Sequence, residues 1–215
     1  MKAPINQGGY DRKLVPEGTH LAICYQMIQI GTVEEQYMGE TKSQHKIMLT
    51  FEVPNELIEI EKDGEKKSFP MSISKEYTFS MGDRANLRKD LEGWRGKVFN
   101  DEEALAFELD VLLNKPCLIN VVHKTSAAGK QRAEIRSISS VMKGMEIPKQ
   151  TNKSLLFDFE HWDDQVLESM HEWIRNKIKS SMEYKARVNP ALNEVKPNST
   201  DAVVVMDEAD DDLPF

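Results

Sequence analysis

The sequence predicts a mainly β domain of the α+β class, a five-stranded barrel with helices between its third and fourth strands. Three observations carry this expectation. Residues 45–53 place His45, Ile47, Leu49, Phe51 and Val53 at every second position, with Lys46, Met48, Thr50 and Glu52 between them. That is the pattern of a half-buried strand with its odd face inward. Two strand-like runs flank Asp63-Gly64, a pair suited to a tight hairpin turn. Helical patterns then intervene before strand signals resume near residue 117.

Residues 1–15 contain Gly8-Gly9 and no periodicity, as in a loose arm. The first strand is expected from Thr19 to Gly31, followed by a polar loop over about 32–43 that carries Tyr37 and Gly39. The alternating run is the second strand. Leu57-Ile58-Glu59-Ile60 and residues 71–80 form the arms around Asp63-Gly64, and in the later arm Ile73, Tyr77 and Phe79 share a face with Lys75. Asp83 is placed to cap a helix reaching about Trp94, with Leu87, Leu91 and Trp94 on one side and Arg84 and Arg88 away from it. A second helix is expected over 101–113, stopped by Asn114 and Pro116. Strands at about 117–123 and 131–142 follow, joined by the polar residues 125–130. This is the element order of an OB-fold, although the pattern alone also allows another small α+β barrel.

Beyond Pro148, residues 163–184 read as one amphipathic helix with Val166, Met170, Trp173, Ile174 and Ile178 on one stripe. Such a stripe packs back on the barrel or meets a second copy. From Asn189-Pro190 through Lys196-Pro197-Asn198-Ser199 the composition is that of a disordered linker. The chain therefore divides into an arm (1–15), a barrel (16–148), a helical extension (149–188) and a linker with a tip (189–215).

Net charge is −8 over 215 residues, but it is segregated. Residues 201–215 hold six acidic groups and no basic one, which leaves the rest of the chain near balance. Residues 115–153 contain eight Lys or Arg against two Glu. Local rather than total charge governs counterion release, so an acidic protein with such a stretch remains compatible with a phosphate partner. Cys24 and Cys117 sit in apolar runs and are expected as buried free thiols rather than a disulfide. No signal-peptide pattern opens the sequence, and no apolar run approaches a membrane span, so a cytoplasmic location is expected.

The last ten residues include five carboxylates and end Asp210-Asp211-Asp212-Leu213-Pro214-Phe215. Adjacent Asp residues repel and Pro214 stops a helix, so the segment suits an anionic strip with one aromatic hook for a basic partner. A plain acidic solubility tail is the alternative. The ending resembles the C-terminal tip of bacterial single-stranded DNA-binding proteins. The run Ser74-Lys75-Glu76-Tyr77-Thr78-Phe79-Ser80-Met81, the run Asn86-Leu87-Arg88-Lys89-Asp90-Leu91-Glu92-Gly93-Trp94-Arg95-Gly96-Lys97 and the run Asn114-Lys115-Pro116-Cys117-Leu118-Ile119-Asn120-Val121-Val122-His123 resemble the single-stranded DNA-binding proteins of tailed bacteriophages. That second resemblance spans roughly 16–184. It implies an OB-fold that coats displaced single strands, and it adds weight to Tyr77, Arg88, Trp94 and Arg95 as motif positions.

Sequence-tolerant binding of single strands requires cations along a backbone path and flat side chains for stacking. On an OB-fold the favoured surface crosses strands two and three, rimmed by the loops after strands one and four. Mapping that surface selects Tyr37, Lys46 with Met48, Lys66, Lys67, Phe69, Lys75, Tyr77, Lys124, Lys130 and Arg132. Tyr37 and Phe69, in polar surroundings, are the first choices for stacking. Tyr77 reads equally as stacking or core, whereas Phe51, Phe107 and Trp94 read as core.

No phosphate-cradling loop is present, and the five His residues show no metal-ligand spacing. The expectation is therefore a non-enzymatic protein without cofactor or metal. Its partners would be single-stranded DNA and, through Asp210 to Phe215, replication or recombination proteins, with self-association left open. A recombination mediator or strand-annealing adaptor is the alternative.

Overall fold

The computed structural model describes residues 13–37, 39–62, 65–126 and 128–189. Its frame is an open six-stranded sheet: β1 (Gly18–Tyr37), β2 (Glu40–Lys62), β3 (Glu65–Thr78), β4 (Pro116–Thr125), β5 (Gln131–Ser139) and β6 (Leu155–Phe157). The strand order is β3-β2-β1-β4-β5, all antiparallel, and β6 adds in parallel to β1 at residues 26–28. Among the described residues no ladder joins β3 to β5, so the sheet is not closed by pairing. The helix α1 (Asn86–Arg95) lies against both strands instead. Gly93 permits this approach, because a Cβ there would stand 2.4 Å from the Ile138 carbonyl oxygen. The Ser140 amide donates to Gly93 O at 3.0 Å.

The odd face of β2 turns inward as its alternation predicts. Ile47, Leu49, Phe51 and Val53 pack with Leu87, Leu91, Trp94, Cys117 and Ile119 in the main core. Both cysteines are buried free thiols, and burial pushes Cys24 up to about 12. The other face of the sheet is where expectation and structure part. Met48, expected on an open face, is buried with Ile28 and Ile30 beneath Phe157, Leu167, Met170, Ile174 and Ile178 in a second core. A register shift in β1 between Cys24 and Gln26 allows this, because it turns Ile28 and Ile30 to the opposite face from Ala22 and Cys24.

Other boundaries also differ. The expected loop at 32–43 is strand, so β1 and β2 continue as a ribbon pairing as far as Tyr37 and Glu40. Polar residues suffice for a two-stranded ribbon wet on both sides, and no hydrophobic period marks it. Ala85, not Asp83, is the N-cap of α1, and Asp83 pairs with Arg88 at 2.5 Å. The helix expected over 101–113 is a short α2 (Asp101–Leu105), capped by Asn100, and a 3₁₀ helix Leu109–Leu112. The single helix expected at 163–184 is three: α3 (Asp164–Ser169), α4 (Glu172–Ser180) and α5 (Met182–Val188). Their stripe packs on the sheet, except that Trp173 is 49 % exposed. The expected turn pair Asp63-Gly64, the arm before Lys13 and the linker and tip from Pro190 onward lie outside the described residues.

Two carboxylates fasten the extension. Glu52, fully buried on the outer side of β2, accepts from the Thr151 amide (2.8 Å), the Asn152 amide (2.8 Å) and Asn152 Nδ2 (2.7 Å). It thereby pins the strap of residues 140–154 across the sheet. Glu183 on α5 accepts from the Thr32 amide and hydroxyl, each at 2.6 Å. Burial raises the Glu183 pKa, but the Thr32 hydrogen bonds outweigh it and hold the carboxyl below its usual range. Its contribution to stability is therefore complete above the unfolded value and fades as pH falls through the folded one. Gly31, at φ +92°, makes room for this latch, since a Cβ there would lie 2.6 Å from Glu183 Oε2 and 2.7 Å from Ser181 Cβ. Gly31→Ala is expected to cost about 1–3 kcal/mol and to release α5 first, read as faster exchange of the Thr32 amide than of core amides.

Candidate nucleic-acid interface

The residues around α1 form a clasp for the fold. Tyr77 is 3 % exposed, and its hydroxyl donates to Asp90 Oδ2 at 2.8 Å. Burial first and the Asp90 charge second push the phenol well above its ordinary pKa, so it stays a donor. Lys75 donates to the same oxygen at 2.6 Å and lies over the Tyr77 ring. Arg88 is buried, donating to Met81 O (3.1 Å), Phe99 O (2.9 Å) and Glu92 Oε1 (3.2 Å). The Arg95 guanidinium stacks 3.9 Å from the Phe99 ring centre, with Glu103 3.7 Å away. Trp94 is core, its indole N–H donating to Pro116 O at 2.8 Å. Of the candidate nucleic-acid residues, Tyr77 and Arg88 are buried and Lys75 and Arg95 are partnered, and all four hold α1 and residues 96–99 against the sheet; Tyr77, which read equally as stacking or core, is core. A guanidinium on a helix flank and an ammonium on an alternating strand read as solvated until their partners are seen.

The face across β2 and β3 is also reassigned. Strap and helices cover Met48 and Glu52, and Lys46 is paired with Glu35 at 3.2 Å. Tyr37 ends β1 at the tip of the ribbon, and the stacking role expected of its side chain lies outside the described part of the molecule. Phe79, on the same face as the buried Ile73 and Tyr77, is 39 % exposed and meets His45 edge-on, with ring centroids 5.4 Å apart.

What remains open lies at one end of the sheet. Gly18 pairs with Val121, and β4 runs on to Thr125 before β5 returns from Gln131. Past the shift between Val53 and Leu57, β2 likewise runs beyond the start of β1 and pairs with β3 from Leu57↔Pro70 to Lys62↔Glu65. Two hairpin arms thus project past the same end of β1. Residues 13–17 are tied to both: Lys13 Nζ donates to Leu57 O at 3.1 Å, the Val15 carbonyl meets His123 Nε2 at 2.8 Å, and Glu17 accepts from the His123 amide at 2.8 Å.

On the β4–β5 arm Lys124 and Arg132 are direct cross-strand partners, both largely exposed. Glu134 bridges them at 2.8 and 2.5 Å, and the hydrogen bond from Lys124 leads in holding its carboxyl below the ordinary range. Lys130 stands exposed near the tip. Arg136, Lys143, Lys149 and Lys153 continue along β5 and the strap, and with Lys115 all eight cations of residues 115–153 are exposed. Sequence mapping left these last five out because it followed the barrel face rather than the local charge. On the β2–β3 arm Lys66, Lys67 and Phe69 are exposed, Lys67 paired with Glu65 at 3.1 Å. Phe69 sits opposite Ile58, and exposed Ile60 opposite Lys67, all on one face. This gives an apolar strip beside cations, as stacking requires. Phe69→Ala is expected to weaken single-strand binding by about 1–3 kcal/mol while leaving the melting temperature nearly unchanged.

Among the described residues no helix is long and apolar enough to cross a membrane, and no cluster of His, Cys, Asp or Glu is arranged to hold a metal. No protein-family model matches the chain, and no curated protein matches it.

Proposed function

We propose that this chain is a sequence-nonspecific, non-enzymatic single-stranded DNA-binding protein of the bacteriophage type, working in DNA replication, recombination and repair in a bacterial host cytoplasm. The observation that carries the reading is the exposure of all eight cations between Lys115 and Lys153, on one hairpin and the strap after it, in a chain of net charge −8. Binding draws on counterion release along that surface and on stacking against Phe69 and Ile60. The strand order, with α1 between β3 and β4, supports an OB-type barrel in which α1 takes the place of β3–β5 pairing. The acidic tip Asp210 to Phe215 recruits partner enzymes in this reading.

Trp94 is buried, Trp162 is packed against Phe157 and Phe159, and the exposed Trp173 sits on α4 rather than on either hairpin arm, so intrinsic tryptophan quenching is a poor reporter of binding at this surface. Anisotropy of a labelled oligonucleotide serves instead. Single strands of mixed sequence are expected to bind with similar affinity and duplex more weakly, without cleavage when Mg²⁺ is added. Rapid annealing of complementary strands with weak coating would favour the mediator alternative, and cleavage would end the non-enzymatic reading.

A further inference from the structure

Away from the two projecting arms, a cleft of about 380 Å³ opens between β6 and the 3₁₀ helix. Met27, Ile47, Leu156 and Phe157 form its walls, backed by the rings of Phe79 and Phe107. Leu156, Phe79 and, on the same 3₁₀ helix, Val111 are large apolar side chains left exposed. The rim is acidic, with Glu108, Asp110 and Asp158 lining it. Residues 101–110 as a whole contain five acidic groups and no basic one. For Asp158, burial raises the carboxyl, but hydrogen bonds from the His161 amide (2.6 Å) and ring outweigh it and keep it ionised at neutral pH. Among the described lining residues only His161 can carry positive charge.

Exposed apolar side chains around a concave site add nothing to the core and mark a surface that something else covers. The negative rim repels phosphate, so the cleft is not on a nucleic-acid path, and it equally repels the chain's own acidic tip. Its volume is at the small end for ligand pockets, room for one or two apolar side chains. Charge complementarity then selects an occupant that is apolar and cationic together. We propose that the cleft docks a basic, apolar segment of a partner protein, with a leucine or aromatic side chain inside and lysine or arginine side chains over Glu108, Asp110 and Asp158. The tail leaves the body nearby. Glu183 of α5 lies 3.8 Å from His45, and His45 meets Phe79 of the cleft wall. A partner held by Asp210 to Phe215, in the reading that makes this tip a recruiter, therefore meets the cleft at high effective concentration. The docking itself depends neither on that reading nor on the nucleic-acid one.

The probe is a short blocked peptide in which leucine and lysine alternate, titrated at low salt into the full chain isotope-labelled on its Ile, Leu and Met methyl groups. The Met27, Ile47 and Leu156 methyl signals should shift and saturate, and should do so equally in a chain lacking Asp207 to Phe215. Salt should weaken the binding. Glu108→Lys with Asp110→Lys, both exposed, should weaken it at least about tenfold while circular dichroism is unchanged. Replacing the peptide's lysines with glutamate, or its leucines with serine, should abolish the shifts. Cleft signals that stay still overturn the proposal. Peptide binding that depends wholly on the tip overturns it too, and leaves the recruiting tip standing. Equal shifts with the serine peptide would reduce the cleft to a diffuse acidic surface, and equal affinity for hexylammonium would make it a small-cation site. Cleft signals that move with the chain's own concentration, without peptide, would assign it a second copy. Each of these three results also overturns the proposal.

Discussion

Glu52→Ala is expected to destabilise the protein by about 3 kcal/mol and to free the strap and helices from the sheet before the main core melts. The carboxylate is fully buried and is the acceptor for two backbone amides and one side-chain amide of residues 151–152. Truncation removes the shared acceptor of three donors in a half-buried site and leaves a cavity beneath the strap, which together cost more than any one of the bonds. Glu52→Gln should recover little, because one of its two polar atoms is a donor facing donors. Denaturant unfolding followed by proteolysis of the strap separates the two stages. Resistance of residues 140–154 to protease in Glu52→Ala would show that the second core alone holds the extension.

Triple reversal of Lys124, Lys130 and Arg132 to glutamate should weaken single-strand binding by at least about a hundredfold at low salt. The three side chains are exposed at the end of a hairpin whose inner face, Val121 and Ile135, is untouched. The reversal also sets two new carboxylates beside Glu134, so stability should fall by about 1–2 kcal/mol while the fold is kept. Neutral substitution to glutamine should give a smaller loss of the same kind. Wild-type affinity in the reversed protein would exclude the hairpin from the interface.

The fold was legible where one face of an element is buried and the other wet. The alternation at 45–53, the stripe of Leu87, Leu91 and Trp94, and the helix position between β3 and β4 all follow from that rule. It failed where both faces are buried. Met48 and Glu52 look like outward positions of a half-buried strand, and only the extension packed over them makes them inward. It failed again in the 32–43 ribbon, which is wet on both faces and so has no period to read.

The site was legible in part for a related reason. Charge density along 115–153 marked a basic surface, and Phe69 was correctly expected to be exposed. Lys75, Arg88 and Arg95 could not be separated from it, because a cation's role depends on whether Asp90, Glu92 or Phe99 lies within reach, and strand and helix periods do not report such tertiary pairs. Resemblance pointed to the same residues, since a fold clasp and a binding motif leave the same kind of signature in sequence.

The most direct test of single-strand binding by this basic surface is the salt dependence of oligonucleotide affinity, measured for the wild type and the Lys124, Lys130 and Arg132 triple variant together. Neutralising three phosphates contributes about −2 to the slope of log K against log salt for single strands. The wild-type slope should therefore be steeper than −2 by this estimate, and the triple variant should be shallower by about that amount. A wild-type affinity that hardly changes with salt, or equal slopes in the two proteins, would contradict the account.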